Sequence, residues 1–330
     1  MPIRQPDLTA TPEEMKKTTM LDALLMATRD TAGIEALGLP PRVPMLGDWL
    51  MEGDCGFLYA PRGLGKTWLS LGLACALANG RSLGPWQAHG AWPVAYLDAE
   101  MALDGMLERM HGMSASPNLR ILNHEVLFHL AGKVLNIAEE ETQQALLALC
   151  LKTGRRVLVI DNLSCAASGM AENDADAWEK VSNWLLAMRR HKVAVILVHH
   201  AGRNGEMRGT SKREDAAFWV LRLDAVDGDK DGSDRQARFT SRFTKERNSG
   251  KSQTPLEWTF ETGTDGLTSI NHKVADRLAL FRQWIDAGLN TATDLATEMA
   301  VSKGTISKMA KAAQLAGWLA TDGRKYTLVS

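Results

Sequence analysis

Ala60-Pro61-Arg62-Gly63-Leu64-Gly65-Lys66-Thr67 is the stretch of this chain that decides its fold. An apolar run that predicts a strand, Gly56–Ala60, leads into it, and a helical pattern, Lys66–Ala78, leads out of it. A glycine-rich turn between a strand and a helix that ends in Lys-Thr is typical of a phosphate-binding loop. Its glycines let backbone N–H groups point inward, and the helix start adds positive potential for phosphate.

The end of this loop carries the expected chemistry. Lys66 is predicted to reach the β- and γ-phosphates of a nucleotide, and the hydroxyl of Thr67 to hold Mg²⁺. Ala60 stands where the usual motif has its first glycine, a change that costs little if its φ is negative. The alternative is a chance Gly-Lys-Thr in a loop, and the flanking strand and helix argue against it. We expect ATP to contact every residue of the loop: Ala60, Pro61, Arg62, Gly63, Leu64, Gly65, Lys66 and Thr67.

Outward from the loop, short apolar runs alternate with helical patterns. The predicted strands are Gly56–Ala60, Val94–Asp98, Val157–Asp161 and Val193–Val198, with two weaker ones at Leu221–Leu223 and Ala237–Thr244. The predicted helices are Lys66–Ala78, Leu103–His111, Glu139–Lys152 and Asn173–His191. This alternation predicts an α/β fold with a mostly parallel sheet covered by helices.

Three of the predicted strands end in polar residues, at the edge where parallel sheets bind ligands. Asp161 ends a buried strand and is expected to bind ATP through a Mg²⁺-bound water. Glu100 follows another strand and is interpreted as the residue that activates the attacking water, with Asp98 behind it. The alternative places Glu100 in the first turn of the next helix, where carboxylates are favoured. His199 and His200 follow a third strand and indicate a sensor of the γ-phosphate.

The composition excludes several classes of protein. The chain has 330 residues, 45% of them hydrophobic and 23% charged, which is typical of a globular protein of about two domains. A formal charge of −1 excludes nucleic-acid binding by bulk charge, so such binding must be local. The four cysteines lack metal-ligand spacing, which predicts reduced thiols. No apolar run could span a membrane and residues 1–17 lack a secretory signal, so we expect a cytoplasmic protein.

The motifs occur in a fixed order: the phosphate-binding loop, Leu97–Met101, Asp161-Asn162 and Val198–His200. In this order the chain resembles the RecA/DnaB-type ATPases over about residues 42–260, and within them the hexameric plasmid replicative helicases of RepA type. The resemblance implies a RecA-like fold, ATP and Mg²⁺ as cofactors, a homo-oligomeric and hexameric ring, and single-stranded DNA as partner. It also implies that Glu100 activates water and that His200, and not His199, couples nucleotide state to DNA.

A late segment, Phe243–Asn248, matches the K-x-R-N pattern of the same ATPases. In that family a lysine and an arginine complete the nucleotide site of the neighbouring subunit. The resemblance therefore implies that Arg247 is an arginine finger and that Lys245 joins it at the γ-phosphate. Because K-x-R is a common pattern, solvated charges on a hairpin stay an alternative. Sites completed in this way require an oligomer, and a closed head-to-tail interface makes a ring.

A glycine-rich basic stretch, 201–213, follows the histidines directly. Such a stretch suits a loop that follows a phosphodiester backbone, and the corresponding loop of the family binds single-stranded DNA in the central channel. A flexible surface lid is the alternative. The cations expected to bind DNA are Arg203, Arg208, Lys212 and Arg213.

The chain is predicted to have three parts: an N-terminal arm with a linker helix (1–41), a RecA-like ATPase domain (42–270) and a small C-terminal domain (271–330). The C-terminal part resembles a winged helix, with two helices, a turn between them and a wing. Lys303 and Lys308 of its second helix are its candidate DNA contacts, on double-stranded DNA, and a partner protein is the alternative ligand.

These observations lead to an ATP-dependent DNA motor, a ring-forming replicative helicase of a plasmid, phage or mobile element. The alternative is an ATP-switched DNA-binding or loading protein, or a recombination mediator, that does not unwind DNA.

Overall fold

The computed structural model describes residues 19–113, 116–169, 175–202, 212–226, 236–251, 253–299 and 301–329, with the backbone alone at 175, 176, 212 and 213. The chain divides into two compact units, residues 1–42 and 43–330. The larger unit contains a nine-stranded sheet.

The strands fall into a parallel and an antiparallel half. The parallel half, β3 to β8, comprises Cys55–Ala60, Val94–Asp98, Leu119–Asn123, Val157–Asp161, Ala194–His200 and Trp219–Ala225. The antiparallel half, β9 to β11, comprises Gln236–Glu246, Leu256–Thr262 and Thr268–Val274. The order across the sheet is β11-β10-β9-β8-β3-β7-β6-β4-β5. Two small hairpins are β1 and β2, and β12 and β13, at Pro44–Leu46, Leu50–Met51, Leu319–Asp322 and Lys325–Leu328.

Helices cover both faces of the sheet. The helices α1 to α6 are Met20–Ala27, Thr31–Glu35, Lys66–Asn79, Leu103–Gly112, His124–Ala131 and Glu140–Thr153. The helices α7 to α12 are Leu163–Ala166, Ala175–Arg190, Lys212–Asp215, Arg277–Asp286, Ala292–Glu298 and Lys303–Leu315. One core contains α3 and part of α4, and the other contains parts of α6, α7 and α8. The predicted α/β class with a mostly parallel, helix-covered sheet is confirmed. No helix in the described ranges is both long and apolar enough to cross a bilayer.

The sequence missed the unit formed by β5 and α5. The residues of β5 pair with β4 at the edge of the sheet, so two of them, Arg120 and Ile121, are exposed. A short edge strand with polar residues gives no continuous apolar run, which is the pattern that predicts buried strands. A second difference is that β7 extends to His200, so both histidines belong to the strand itself.

The C-terminal region has a hydrophobic cluster of its own, with Phe281, Leu295 and Ile306 buried at its centre. Its elements, α10 to α12 and the β12–β13 hairpin, follow the predicted helix-turn-helix with a wing. The predicted C-terminal domain begins at Asn271, but this residue lies inside β11, which pairs with β10 as far as Val274. The antiparallel sheet therefore extends past residue 270, and the domain division stays a prediction.

An ionic cluster joins this region to the sheet. Arg222 and Arg242, on β8 and β9, both bind Asp224 and the side chain of Glu298. The ring of Trp284 lies under both guanidinium groups, at 4.7 and 5.2 Å. Both arginines and Asp224 are buried.

The N-terminal unit is described from residue 19 onward, and residues 1–18 of the predicted arm and linker helix lie outside the described residues. Within the predicted helix, α1 begins after Thr19, whose side chain accepts a hydrogen bond from the N–H of Asp22. Its apolar side chains, Leu21, Leu24 and Leu25 among them, are exposed.

Burial predicts how the four thiols react. It raises the pKa of Cys55 to about 12 and those of Cys75 and Cys150 to about 11. Partial burial raises the pKa of Cys165 too, but this residue is exposed and open to reagents, whereas the other three are buried. Because the thiolate is the nucleophile, we expect iodoacetamide at about pH 8 to label Cys165 in the folded protein and the other three only after unfolding. Peptide mass spectrometry of native and denatured samples measures this, and native labelling of Cys75 as fast as that of Cys165 would contradict it.

Candidate active site

The glycine-rich loop between β3 and α3 has the backbone that phosphate binding requires. Gly63 and Gly65 have φ values of 76° and 88°, a region that side chains disfavour. A Cβ on Gly65 would lie 2.6 Å from the ring of Phe239 on β9, so only glycine fits there. The loop therefore curls at positions that its sequence predicts.

Lys66 is buried at the start of α3, with 6% of its surface exposed. Its Nζ donates hydrogen bonds to the backbone oxygens of Ala60, at 3.3 Å, and Pro61, at 2.7 Å. Burial lowers its pKa to about 8, while the nearby carboxylates of Asp161 and Glu100 act in the opposite direction. A partly desolvated ammonium group gains strongly from an anion beside it, which suits a phosphate-binding lysine.

Asp161 ends β6 and is 3% exposed. The Tyr96 hydroxyl donates to its Oδ2 at 2.7 Å, Ser70 donates at 3.4 Å, and Thr67 also hydrogen-bonds to it. Burial raises the pKa of Asp161, and the bonds from Tyr96 and Thr67 counteract this. The two residues predicted to hold Mg²⁺, Thr67 and Asp161, are thus in direct contact.

Asp98 shapes the turn that carries Glu100. Its Oδ1 accepts the N–H groups of Glu100 and Met101 at 3.2 and 3.0 Å, and its Oδ2 accepts a bond from Asn123 at 2.9 Å. Glu100 precedes α4, whose N-cap is Ala102, so it does not lie in the first turn of that helix. Both carboxylate oxygens of Asp98 are therefore used in hydrogen bonds that hold the turn, and Glu100 lines the cavity at the glycine-rich loop.

A polar chain runs from Glu100 into the sheet. The side-chain amide of Asn162 donates to the Glu100 carboxylate, and it also lies 3.2 Å from Nε2 of His200. The same ring nitrogen is 3.9 Å from Glu100. Both histidines are paired with β3, His199 with Tyr59 and His200 with Ala60, and His200 is the one that lines the cavity at the loop. Sequence reasoning missed Asn162, although its position directly after Asp161 was a usable signal.

A cavity of about 500 Å³ joins these groups and is lined by Lys66, Thr67, Glu100 and His200. Arg109 of α4 also lines it, with its guanidinium 4.9 Å from the ring centre of Trp68. The volume lies within the roughly 300–1,000 Å³ usual for ligand pockets. No sequence signal pointed to Arg109, because a basic residue in the last turn of an amphipathic helix is ordinary.

Lys245 and Arg247 do not lie at this cavity. The N–H of Arg247 donates to the backbone oxygen of Phe218, and the N–H of Phe218 donates to that of Cys55, at the first residue of β3. The glycine-rich loop leaves the opposite end of β3, after Ala60. These two cations therefore lie at the end of the sheet where β3 begins, and the glycine-rich loop lies at the end where β3 finishes.

The predicted DNA contacts are described only in part. Arg203 and Arg208 lie outside the described residues, and the structure gives only the backbone of Lys212 and Arg213, at the start of α9. Lys303 and Lys308 are exposed on α12.

A protein family and several solved structures are similar to this chain. Residues 22–206 match the AAA domain family. The chain belongs to this family of P-loop ATPases. A similar solved structure is a KaiC-like protein from Pyrococcus horikoshii, at 16% identity and a TM-score of 0.48, covering 67% of this chain and 91% of that one. Another is the flagellar accessory protein FlaH from Methanocaldococcus jannaschii, at 13% identity and a TM-score of 0.45, covering 68% and 91%.

ATP and Mg²⁺, which P-loop ATPases of this family generally bind, fit the residues present. The buried side chain of Lys66 lines a cavity of about 500 Å³, a volume usual for ligand pockets. The contact between Thr67 and Asp161 supplies a hydroxyl and a carboxylate oxygen, both ligands that Mg²⁺ prefers.

Glu100→Gln should separate binding from hydrolysis. The amide keeps the shape of the side chain but cannot accept a proton, so we expect ATP binding to persist and turnover to fall at least ~10²-fold. Fluorescent nucleotide titration and steady-state phosphate release measure the two. Lys66→Ala is the control that should lose binding as well. Unchanged turnover in the Gln variant would return Glu100 to a structural role.

Proposed function

We propose that this P-loop ATPase is an ATP-driven motor on DNA, a ring-forming replicative helicase of a plasmid, phage or mobile element. The observation that carries the proposal is the placement of Lys245 and Arg247 at the sheet edge opposite the glycine-rich loop. Two cations in a pattern expected of a catalytic finger lie where they cannot serve their own nucleotide.

The length of β3 gives the distance between Arg247 and the glycine-rich loop of the same subunit. Its first residue, Cys55, is at the level of Arg247, and its last, Ala60, adjoins the loop. Five steps at ~3.3 Å per residue separate the two ends by about 17 Å, farther than an arginine side chain extends. A finger at Arg247 therefore acts on the nucleotide of a second subunit. Repetition of that head-to-tail contact closes a ring or continues as a filament.

The roles of the residues follow from their contacts. Glu100 accepts the proton of the attacking water, while Lys66 and the neighbour's Arg247 stabilise charge on the γ-phosphate. Thr67 and Asp161 would hold Mg²⁺, which neutralises phosphate charge when bound. His200 reads the γ-phosphate through Asn162 and Glu100, and β7 connects it to the basic stretch that follows.

DNA is the proposed track of the motor. The basic stretch after β7, with Arg203, Arg208, Lys212 and Arg213, is proposed to hold single-stranded DNA in the ring. Lys303 and Lys308 are exposed on α12, which supports a second contact, with double-stranded DNA or a partner protein. The alternative, an ATP-switched loading or recombination protein, shares this surface but does not separate strands.

Mixing two inactive variants tests the neighbour's role. Each variant alone should hydrolyse ATP poorly, and Arg247→Ala should lower the turnover rate by ~10³–10⁵-fold. Arg247→Ala nevertheless keeps its glycine-rich loop, and Lys66→Ala keeps its finger. A mixture rebuilds some complete interfaces and should recover part of the turnover, measured as phosphate release. Light scattering checks that the two variants co-assemble. Co-assembly without recovered turnover would disprove the finger in trans.

Strand separation tests the motor. A forked DNA with a labelled strand should be unwound by the parent protein with ATP and Mg²⁺, and single-stranded DNA should stimulate its ATPase. Lys66→Ala, which lacks the ammonium group expected to bind phosphate, should do neither. Nucleotide-dependent DNA binding by the parent without any unwinding would favour the alternative function. Native gel electrophoresis of the fork and a phosphate-release assay give both measurements.

A further inference from the structure

The bend after β9, residues 246–251, is called here the finger loop because it carries Arg247. Its backbone is held by the side chain of Glu246, which accepts the N–H groups of Asn248, at 2.5 Å, and Ser249, at 2.9 Å. The hydroxyl of Ser249 also donates to Glu246. These bonds fix the shape of the loop but do not attach it to the rest of the protein.

Two contacts attach the loop: the N–H of Arg247 donates to the backbone oxygen of Phe218 at 3.0 Å, and the side chain of Asn248 binds the segment before β3. The Nδ2 of Asn248 donates to the backbone oxygen of Trp49 at 2.6 Å and to Oδ2 of Asp54 at 2.7 Å. Asp54 is 1% exposed, and the same oxygen accepts the N–H of Met51 at 2.8 Å. A buried carboxylate is tolerated because hydrogen bonds compensate its lost hydration, so this contact is costly to break.

Asp54 belongs to the rigid frame of the sheet. It immediately precedes β3, and its backbone oxygen accepts the N–H of Val195 of β7 at 2.7 Å. The strand that ends in the glycine-rich loop thus begins at the residue to which the finger loop is attached. Groups supported by strands are held more accurately than groups on free loops.

The cationic groups themselves have only light support. The guanidinium of Arg247 is exposed and donates to the backbone oxygen of Asp215 at 3.5 Å. Lys245 donates to the backbone oxygen of Glu214. Burial, and after it the charge of Arg247, lower the pKa of Lys245. The direction in which Arg247 points is therefore set by the backbone of the finger loop, which follows directly on the strand that carries Lys245.

We propose that Asp54 and Asn248 are positioning residues that hold the finger loop, and with it Arg247, in line with the nucleotide of the adjacent subunit. The proposal rests on the proposed function, in which Arg247 acts in trans. It assigns a task to a buried acid and an amide that make no contact with the cavity at the glycine-rich loop.

Asn248→Leu is the main test, because it keeps the volume of the side chain and removes both donated bonds. A displacement of about 1 Å can cost ~10²-fold in rate, so kcat should fall by about that factor. KM for ATP and nucleotide binding should stay unchanged, since the glycine-rich loop of the same subunit is untouched. The matched control is Asn118→Leu, which loses a bond to the oxygen of Ala78 at 3.1 Å and should keep the parent kcat.

Mixed oligomers distinguish positioning from a general structural role. Asn248→Leu mixed with Lys66→Ala should recover turnover, because the Lys66→Ala subunit supplies an intact finger loop to an intact nucleotide site. Asn248→Leu mixed with Arg247→Ala should not, because neither subunit has a well-placed finger. Asp54→Asn, which loses charge but not volume, should behave in the same way with a smaller loss. It provides the test if Asn248→Leu does not fold.

The outcomes separate this proposal from the one it rests on. A parent-like kcat in both variants would overturn the positioning role alone, as would loss of nucleotide binding or a failure of Lys66→Ala to restore turnover. Failure of the Arg247→Ala and Lys66→Ala mixture would instead overturn the finger in trans, and the positioning role with it. Lost kcat, kept KM and rescue only by Lys66→Ala would support both.

Discussion

Parallel pairing of β6 with β4 and β7 is the constraint on which the site depends. Because parallel strands all end at one edge, the register that pairs Asp98 with Asp161 brings their carboxyl groups together, and the next strand brings His200. Glu100 then needs only the turn that Asp98 caps to reach the same place. The parallel hydrogen bonding of these strands therefore brings polar residues that are far apart in sequence together around Lys66.

That edge was predictable because its signals are local. A run of apolar residues ending in a carboxylate, or a glycine-rich turn ending in Lys-Thr, is complete within about ten residues, and Lys66, Asp161 and Glu100 were found in this way. The strands of the antiparallel half gave weaker patterns, and β10 and β11 gave none that was recognised. The alternation of apolar and polar residues in β10, Leu-Glu-Trp-Thr-Phe-Glu-Thr, was a usable strand signal, whereas β11 is mostly exposed and has few apolar residues.

What the sequence could not give is contact between distant segments. Asn248 and Asp54 are 194 residues apart, and each is unremarkable in its own surroundings. The same holds for Arg109, which reaches the cavity only because α4 packs beside Trp68. Tertiary packing decides such contacts, and no periodicity or spacing records them. The one missed residue with a local signal was Asn162, next to Asp161.

The ionic cluster over the ring of Trp284 ties the C-terminal region to β8 and β9 of the large sheet. Two guanidinium groups and one carboxylate lie buried on β8 and β9, and the second carboxylate that balances them belongs to α11. Without that helix, one positive charge would remain uncompensated on strands next to the nucleotide loop, and such a charge is expensive to keep from water. The region is therefore not an interchangeable attachment: a substitute domain would have to bring an acid to the position of Glu298 and an aromatic ring to that of Trp284.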